Sequence, residues 1–339
     1  MQNKIFNTFI IAEAGVNHNG KLSIAKSMIK AAKMAGANCI KFQAFEIKKL
    51  VSNSAKSANY QIKETSENLQ KNVLKDLTLS KSDLASLYKE CQKQNIEFLC
   101  TAFDIELLKY LISLGMKKIK IPSGEITNYP YLIEASKCNL PIILSTGMSN
   151  MMEVKEAFKI IKKHNKTVNI SLLHCTSLYP APKETLNLNA ISTLLKSFKC
   201  DVGYSDHSLG NFASIAAVSL GANIIEKHFT LNKKFSGPDQ SASANPKELT
   251  NLIKDIRSLE TALGNGKKIP HSLEKNTADV ARRSWHAKNK IRANTKIRLE
   301  DIILLRPSTG IQSKESIIGF KSNVEIKKGQ RIEKNWLYK

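Results

Sequence analysis

Eight times in its first 263 residues the chain repeats one unit, a short apolar run followed by a stretch of helical periodicity. The runs are Thr8–Ala14, Asn38–Phe45, Ile96–Phe103, Lys117–Pro122, Pro141–Gly147, Val168–Thr176, Asp201–Asp206 and Asn223–Thr230. Each is rich in Ile, Val, Leu and Phe, as strands of a parallel sheet covered by helices require. Between them lie helical stretches such as Leu22–Ala35, Ser82–Gln94, Ile105–Leu114, Met152–Lys163 and Asn211–Leu220. Glycines at 36, 115 and 221 mark the C-terminal ends of three of these. This arrangement predicts an α/β fold, a (β/α)8 TIM barrel, whose typical length is about 250 residues. A doubly wound sheet is the weaker reading, because no GxGxxG fingerprint follows the first run.

The barrel pattern covers 1–263. The stretch Gly264-Asn-Gly-Lys-Lys-Ile-Pro270 opens a linker over 264–278. In 279–339, short strand-like pieces at Ser284–Ile291, Ile302–Leu305 and Gln330–Leu337 suggest a small β-rich domain. A module that small is marginal alone and is expected to pack on a barrel.

Charge narrows the function classes. The chain carries 52 basic and 29 acidic residues, a net +23, which raises nucleic-acid or membrane binding. Only seven of the 52 are Arg, however, and the lysines are dispersed rather than gathered with aromatics into a stripe. Solvated lysine is the better reading, and neither nucleic acid nor membrane is expected as a partner. No apolar run approaches the 18 residues of a membrane span and no signal peptide is visible, so a cytoplasmic location is expected. The six cysteines form no CxxC pair, which argues for reduced thiols.

In a barrel, residues i and i+2 of a strand face the same way, and active sites sit at the strands' C-terminal ends. Those ends read Glu13; Lys41 and Gln43; Thr101 and Phe103; Lys120, then Ser123 and Glu125; Ser145; His174, then Ser177 and Tyr179; Ser205 and His207; Glu226 and His228. So many polar groups in apolar runs would be costly as filler. Lys41 and Lys120 with the hydroxyls of Thr101, Ser123, Ser145 and Ser205 suit a phosphate. Glu13, Glu125 and Glu226 supply acid/base groups. His207 and His228, on adjacent strands, suit one divalent metal with open positions. Neutral imidazole fits Mn, Co, Fe or Zn, and added oxygen ligands favour Mn- or Mg-like coordination. His174 is read as facing inward behind the site. His18 is assigned to the first loop, and His164, His271 and His286 to the surface. Lys120 or Lys41 alone is also compatible with a Schiff-base aldolase.

The segments IIAEAGVNHNG (10–20), KFQAF (41–45), KIPSGEITNYP (120–130), ILSTGM (143–148), LLHCTSLYPAP (172–182), GYSDHS (203–208), EKHFT (226–230) and GPDQSAS (237–243) resemble the bacterial sialic acid synthase family. The resemblance implies a TIM barrel with a C-terminal antifreeze-like (SAF) domain in a domain-swapped homodimer. It also implies condensation of phosphoenolpyruvate (PEP) with an N-acetylated amino sugar and water, with phosphate released by C–O cleavage. Carried over residue by residue, it places PEP on Lys41, Thr101, Lys120, Ser123, Ser145 and Ser205. The metal falls on His207 and His228, as Mn2+ ahead of Mg2+ or Co2+. The sugar falls on Glu13, Gln43, Phe103, Glu125, Ser177, Tyr179 and Asp239, with Arg306 reaching in from the partner subunit. Enzymes of the family that use N-acetylmannosamine commonly have Asn where this chain has Ser177, and a Gly-Asn turn after strand two where it has Ala58-Asn59-Tyr60-Gln61. The pattern with Tyr179-Pro-Ala-Pro182 looks more like the legionaminic acid branch, whose acceptor is a 2,4-diacetamido-trideoxymannose.

Overall fold

The computed structural model describes residues 7–339. It divides into two compact units, one ending at Asn265 and one spanning Gly266–Lys339. In the first, strand and helix alternate throughout: β1 Phe9–Gly15, α1 Leu22–Ala35, β2 Cys39–Ala44, α2 Lys81–Gln94, β3 Glu97–Ala102, α3 Ile105–Leu114, β4 Ile119–Ile121 and α4 Tyr129–Lys137. The second half continues with β5 Ile142–Ser145, α5 Met151–His164, β6 Ile170–Cys175, α6 Ala190–Ser197, β7 Asp201–Asp206, α7 Phe212–Ser219, β8 Ile224–His228 and α8 Pro246–Leu263.

All strand pairs are parallel and the sheet order is β3-β2-β1-β8-β7-β6-β5-β4. β3 and β4 lie side by side without a hydrogen-bonded ladder, so the barrel is nearly closed. β4 has only three residues, which limits what it can pair there.

Local signals explain the elements. In α1 the residues Ala25, Met28, Ile29, Ala32 and Ala35 form one buried stripe, and Gly36 ends the helix at φ 92°, a left-handed conformation that glycine enters without strain. α5 begins at Asn150, whose side chain accepts from the N–H groups of Met152 and Glu153 while Glu153 accepts from Asn150 N–H. Helices and outward strand faces share a single large core that includes Ile10, Ile40, Phe42, Leu84, Leu99 and Ile225.

The second unit has its own core of Ala287, Ile291, Ile297, Ile302, Ile311, Ile317, Ile326 and Ile332. Two short antiparallel pairs organise it, β9 Ser284–Ala287 with β10 Ile302–Leu305, and β11 Lys321–Ser322 with β12 Leu337–Tyr338. The expected strand over Gln330–Leu337 is largely absent. Gly329 turns at φ 77° and Lys334–Trp336 forms a helical turn, which leaves only the end of that segment extended. His286 is buried rather than exposed, because β9 is flanked by β10 on one side and bridged to Arg331 on the other.

Candidate active site

The C-terminal ends of the strands open into a cavity of about 370 Å3. Glu13, Lys41, Gln43, Thr101, Phe103, Lys120 and Ser123 line it. So do Ser145, Ser177, Tyr179, Ser205, His207, Glu226 and His228. Strand alternation is what gathers them, since each occupies an inward position of its strand or of the loop continuing it.

A buried ion cluster forms the floor. Lys41 Nζ lies 2.8 Å from Glu13 Oε2 and 3.6 Å from Glu226 Oε2, with Thr101 Oγ1 at 3.4 Å. Lys120 Nζ donates to Ser145 Oγ at 2.7 Å and lies 3.6 Å from Glu226 Oε1. Ser205 Oγ donates to Glu226 Oε1 at 3.0 Å. These environments separate the two acids. Burial alone would raise Glu226, but Lys120, Lys41 and Ser205 overcome it and hold its carboxyl at about 2. Glu13 is pushed above the usual carboxylate range, chiefly by burial and only partly offset by Lys41. Burial also lowers Lys120, whereas for Lys41 the charges of Glu13 and Glu226 outweigh burial and raise it.

The imidazoles adjoin this cluster through Ser205, whose Oγ lies near both His207 and Glu226. The two imidazole centroids are 5.5 Å apart. His207 Nδ1 donates to Thr176 O at 2.6 Å, which leaves Nε2 with a lone pair, 3.3 Å from both Tyr179 OH and Ser205 Oγ. His228 Nδ1 is buried without a hydrogen-bond partner and lies 3.9 Å from Asp239 Oδ2. Burial holds His207 neutral down to about 4, and burial, with the neighbouring His207 and Lys41, also lowers His228 well below the ordinary histidine value. Two neutral imidazoles, one with an unpartnered buried nitrogen, fit a divalent ion of borderline softness. Among the described residues no group of three or more His, Cys, Asp or Glu side chains forms a ligand cage.

Three expected residues fall outside the cavity lining. Glu125, half-buried at the end of a one-turn helix, accepts from Asn128 Nδ2 at 2.6 Å. Asp239 is buried beside His228, and burial followed by the charge of Glu13 pushes its carboxyl up to about 7. Arg306 belongs to the second unit, exposed just after β10.

His174 does not face inward. Ser177 and Tyr179 share the parity of Cys175, which is the β6 residue that lines the cavity. His174 instead points toward the helices, bonded to Leu186 O at 2.8 Å and packed near Tyr204.

Sequence reasoning missed Cys175, Met148 and Gln70, and it set Ala58, Tyr60 and Gln61 of the β2–α2 connection apart only as a branch difference, without placing them in the cavity. It also missed Gly147. A Cβ there would come within 2.4 Å of Ser177 Oγ and 2.8 Å of Cys175 Sγ and Ser123 Oγ, while its N–H donates to Ser123 Oγ at 3.0 Å.

A parallel barrel with buried lysines, hydroxyls and paired imidazoles converging on one mouth defines a (β/α)8 enzyme for an anionic substrate. The chain belongs to the NeuB family, which it matches over residues 28–268. It is 44% identical over 330 residues to the N,N'-diacetyllegionaminic acid synthase of Legionella pneumophila, covering 96% of this chain and 93% of that protein. To the enzyme of the same name in Campylobacter jejuni it is 46% identical over 308 residues, covering 90% and 92%. Among solved structures it resembles an N-acetylneuraminic acid synthetase from Leptospira borgpetersenii in complex with citrate, with TM-score 0.72 and 38% identity, covering 80% of this chain and 90% of that one.

Proposed function

We propose that this enzyme condenses PEP with an N-acetylated mannose-type amino sugar and water, releasing phosphate and forming a nonulosonic acid. The product class is N,N'-diacetyllegionaminate, or failing that N-acetylneuraminate. One observation carries the reading: Lys41, Lys120, Thr101, Ser145 and Ser205 surround the same cavity as His207 and His228. Two cations with short hydroxyl donors match the phosphate and carboxylate of PEP, and Ser123 with Gly147 N–H extends that cradle.

His207 and His228 would hold a divalent ion, Mn2+ ahead of Mg2+ or Co2+. Such an ion supplies Lewis-acid polarisation of the sugar aldehyde. Glu226, ionised between two lysines, keeps both ammonium groups aimed at the PEP oxygens. The C2=C3 electrons of PEP form the bond to the aldehyde carbon as its oxygen takes a proton to become a hydroxyl. Water adds at C2 and loses a proton. The C2–O bond to phosphate then breaks as the C2 hydroxyl gives up its proton to leave the 2-keto acid. Glu13 is the acid/base group we assign to the proton that water loses, since its carboxyl is raised and lies inside the cavity whereas Glu125 lies outside. Gln43, Phe103, Ser177, Tyr179 and Asp239 are assigned to the sugar.

For the second unit, we assign an antifreeze-like (SAF) role and the supply of Arg306 to a partner's barrel in a swapped homodimer. Among the described residues no helix is long and apolar enough to cross a membrane, and we place the enzyme in the cytoplasm.

Phosphate release from PEP against a panel of acetamido sugars, with and without chelator, tests the whole reading. Release with a 2,4-diacetamido-trideoxymannose, abolished by chelator and leaving no borohydride-trapped adduct, is expected. A clear preference for N-acetylmannosamine overturns the acceptor, and no release with any sugar overturns the function.

A further inference from the structure

One wall of the cavity comes from no strand end. The connection between β2 and α2 folds back over the mouth and brings Ala58, Tyr60, Gln61 and Gln70 to the lining. It is braced from within. Lys56 and Leu69 form an antiparallel bridge, Ser57 N–H donates to Asn68 O at 2.9 Å, and Gln70 N–H donates to Ala55 O at 3.0 Å. Gln61, itself buried, accepts from Ala58 N–H at 3.0 Å and fixes the start of the helix Asn59–Thr65 that carries Tyr60.

The ring of Tyr60 lies 5.0 Å from that of Tyr179, tilted by 31°. Tyr179 in turn stacks on His207 at 4.3 Å and 28°, and meets His228 edge-on at 5.4 Å. Three rings thus form one column that ends on an imidazole. Centroid spacings near 5 Å suit offset stacking, and aromatic rings lose little rotamer freedom on being fixed. The column ends on His207, whose Nε2 lies 3.3 Å from Ser205 Oγ, and Ser205 in turn donates to Glu226, the carboxylate that the two lysines flank.

We infer that Tyr60 is a specificity-determining residue for the acceptor sugar, its ring forming an apolar flank that favours a deoxy carbon or acetamido methyl over a hydroxyl-bearing face. The inference rests on the proposed reading that PEP and an amino sugar share this cavity. A hydroxyl pressed against an aromatic face loses hydration without gaining a partner, whereas a methyl group there gains burial. Tyr60 acts on acceptor choice and not on PEP.

The test uses the full chain with Mn2+ and compares wild type, Tyr60→Ala, Tyr60→Phe and Tyr60→Leu. Each is assayed for phosphate release with 2,4-diacetamido-trideoxymannose and with N-acetylmannosamine. Tyr60→Ala is expected to raise KM for the diacetamido sugar about tenfold and to shrink the preference between the two sugars by about the same factor. The KM for PEP is expected to stay within about twofold. Tyr60→Phe is expected to restore the preference, and Tyr60→Leu, which keeps bulk without a ring, to lose it as alanine does even if alanine folds poorly. A preference that the alanine and leucine variants leave unchanged, a loss confined to PEP, or a phenylalanine variant as impaired as alanine each overturns the inference while wild type remains active. Wild type that releases no phosphate with either sugar overturns the functional reading itself and this inference with it.

Discussion

Strands β7 and β8 carry two buried charge clusters back to back, and their hydrogen bonding differs. On the outer face, Asp206 fills all its acceptor positions with Ser208 N–H at 2.9 Å, Ser208 Oγ at 2.7 Å, Ser214 Oγ at 2.6 Å and Lys227 Nζ at 2.9 Å. Lys227 also donates to the carbonyls of Ser208 and Gly210. On the inner face, one residue away along each strand, Glu226 Oε2 and His228 Nδ1 are buried with no hydrogen-bond partner, and both lysines stand off from Glu226 at 3.6 Å. Buried polar groups are normally satisfied, and the exceptions need a reason. The outer cluster ties α7 to the sheet, whereas the inner one leaves its capacity for a ligand. The same residue types serve structure when complete and chemistry when incomplete.

The comparison is most exposed at Lys120. Lys120→Met is expected to lower kcat/KM by at least about 10^3-fold at a smaller cost in stability than loss of Lys227 brings, since Glu226 keeps Lys41 and Ser205 as partners when Lys120 is lost. Steady-state phosphate release and a thermal melt on the same preparation check it, and a variant that unfolds while retaining turnover breaks the distinction. The mirror experiment is Lys227→Met on the outer face. It leaves Asp206 buried without its counter-charge and is expected to cost about 3–5 kcal/mol in denaturant unfolding. Molecules that stay folded are expected to turn over within about tenfold of wild type, a far smaller loss than Lys120→Met gives. Equal losses of turnover in the two variants would erase the difference between the faces.

How much of this was legible depended on alternation. Period two along an apolar strand makes Lys41 and Gln43, Ser205 and His207, and Glu226 and His228 readable as pairs on one face. The same rule, applied consistently, also places Cys175 rather than His174 beside Ser177, because the loop keeps the parity of the strand it extends. Tyr60 was legible only as part of a branch difference and not as a lining residue. It reaches the cavity through a connection of short helices whose path no periodicity encodes. Glu125 sits two residues beyond Ser123, but a one-turn helix over 123–125 breaks the alternation, and Glu125 is not in the lining. In the second unit only two-residue and four-residue strands form, too short for pattern to fix their ends. A buried His286 there looks no different in sequence from the exposed His271.

Gly147 sharpens the comparison at the edge of the inner cluster. Gly147→Ala forces Ser123, Cys175 and Ser177 to give way. An overpacked site of this kind is expected to raise KM for PEP or the sugar by about tenfold, with a smaller change in melting temperature. Initial rates with each substrate varied in turn check it. Unchanged constants would remove Ser123 and Ser177 from the binding surface and shrink the inner cluster to its lysines.

The smallest expected effect concerns His18, buried in the loop after β1 and outside both clusters. Gly20 N–H donates to His18 Nδ1 at 3.0 Å, so the ring is held neutral, and protonating it would break that bond in a site where burial already lowers its value to about 4. The unfolded chain binds this proton at the ordinary histidine value of about 6.5. Between the two values the unfolded state therefore holds more protons, and the stability His18 contributes is complete above about 6.5 and is lost as pH falls toward 4. Denaturant midpoints measured from pH 7.5 to 4.5 should fall less steeply for His18→Asn than for wild type, by up to about 1.4 kcal/mol per pH unit. Parallel slopes would mean that His18 takes up its proton as readily in the folded protein as in the unfolded chain. A neutral imidazole would then no longer follow from burial alone, and the neutrality of His207 and His228 would need the ligand itself.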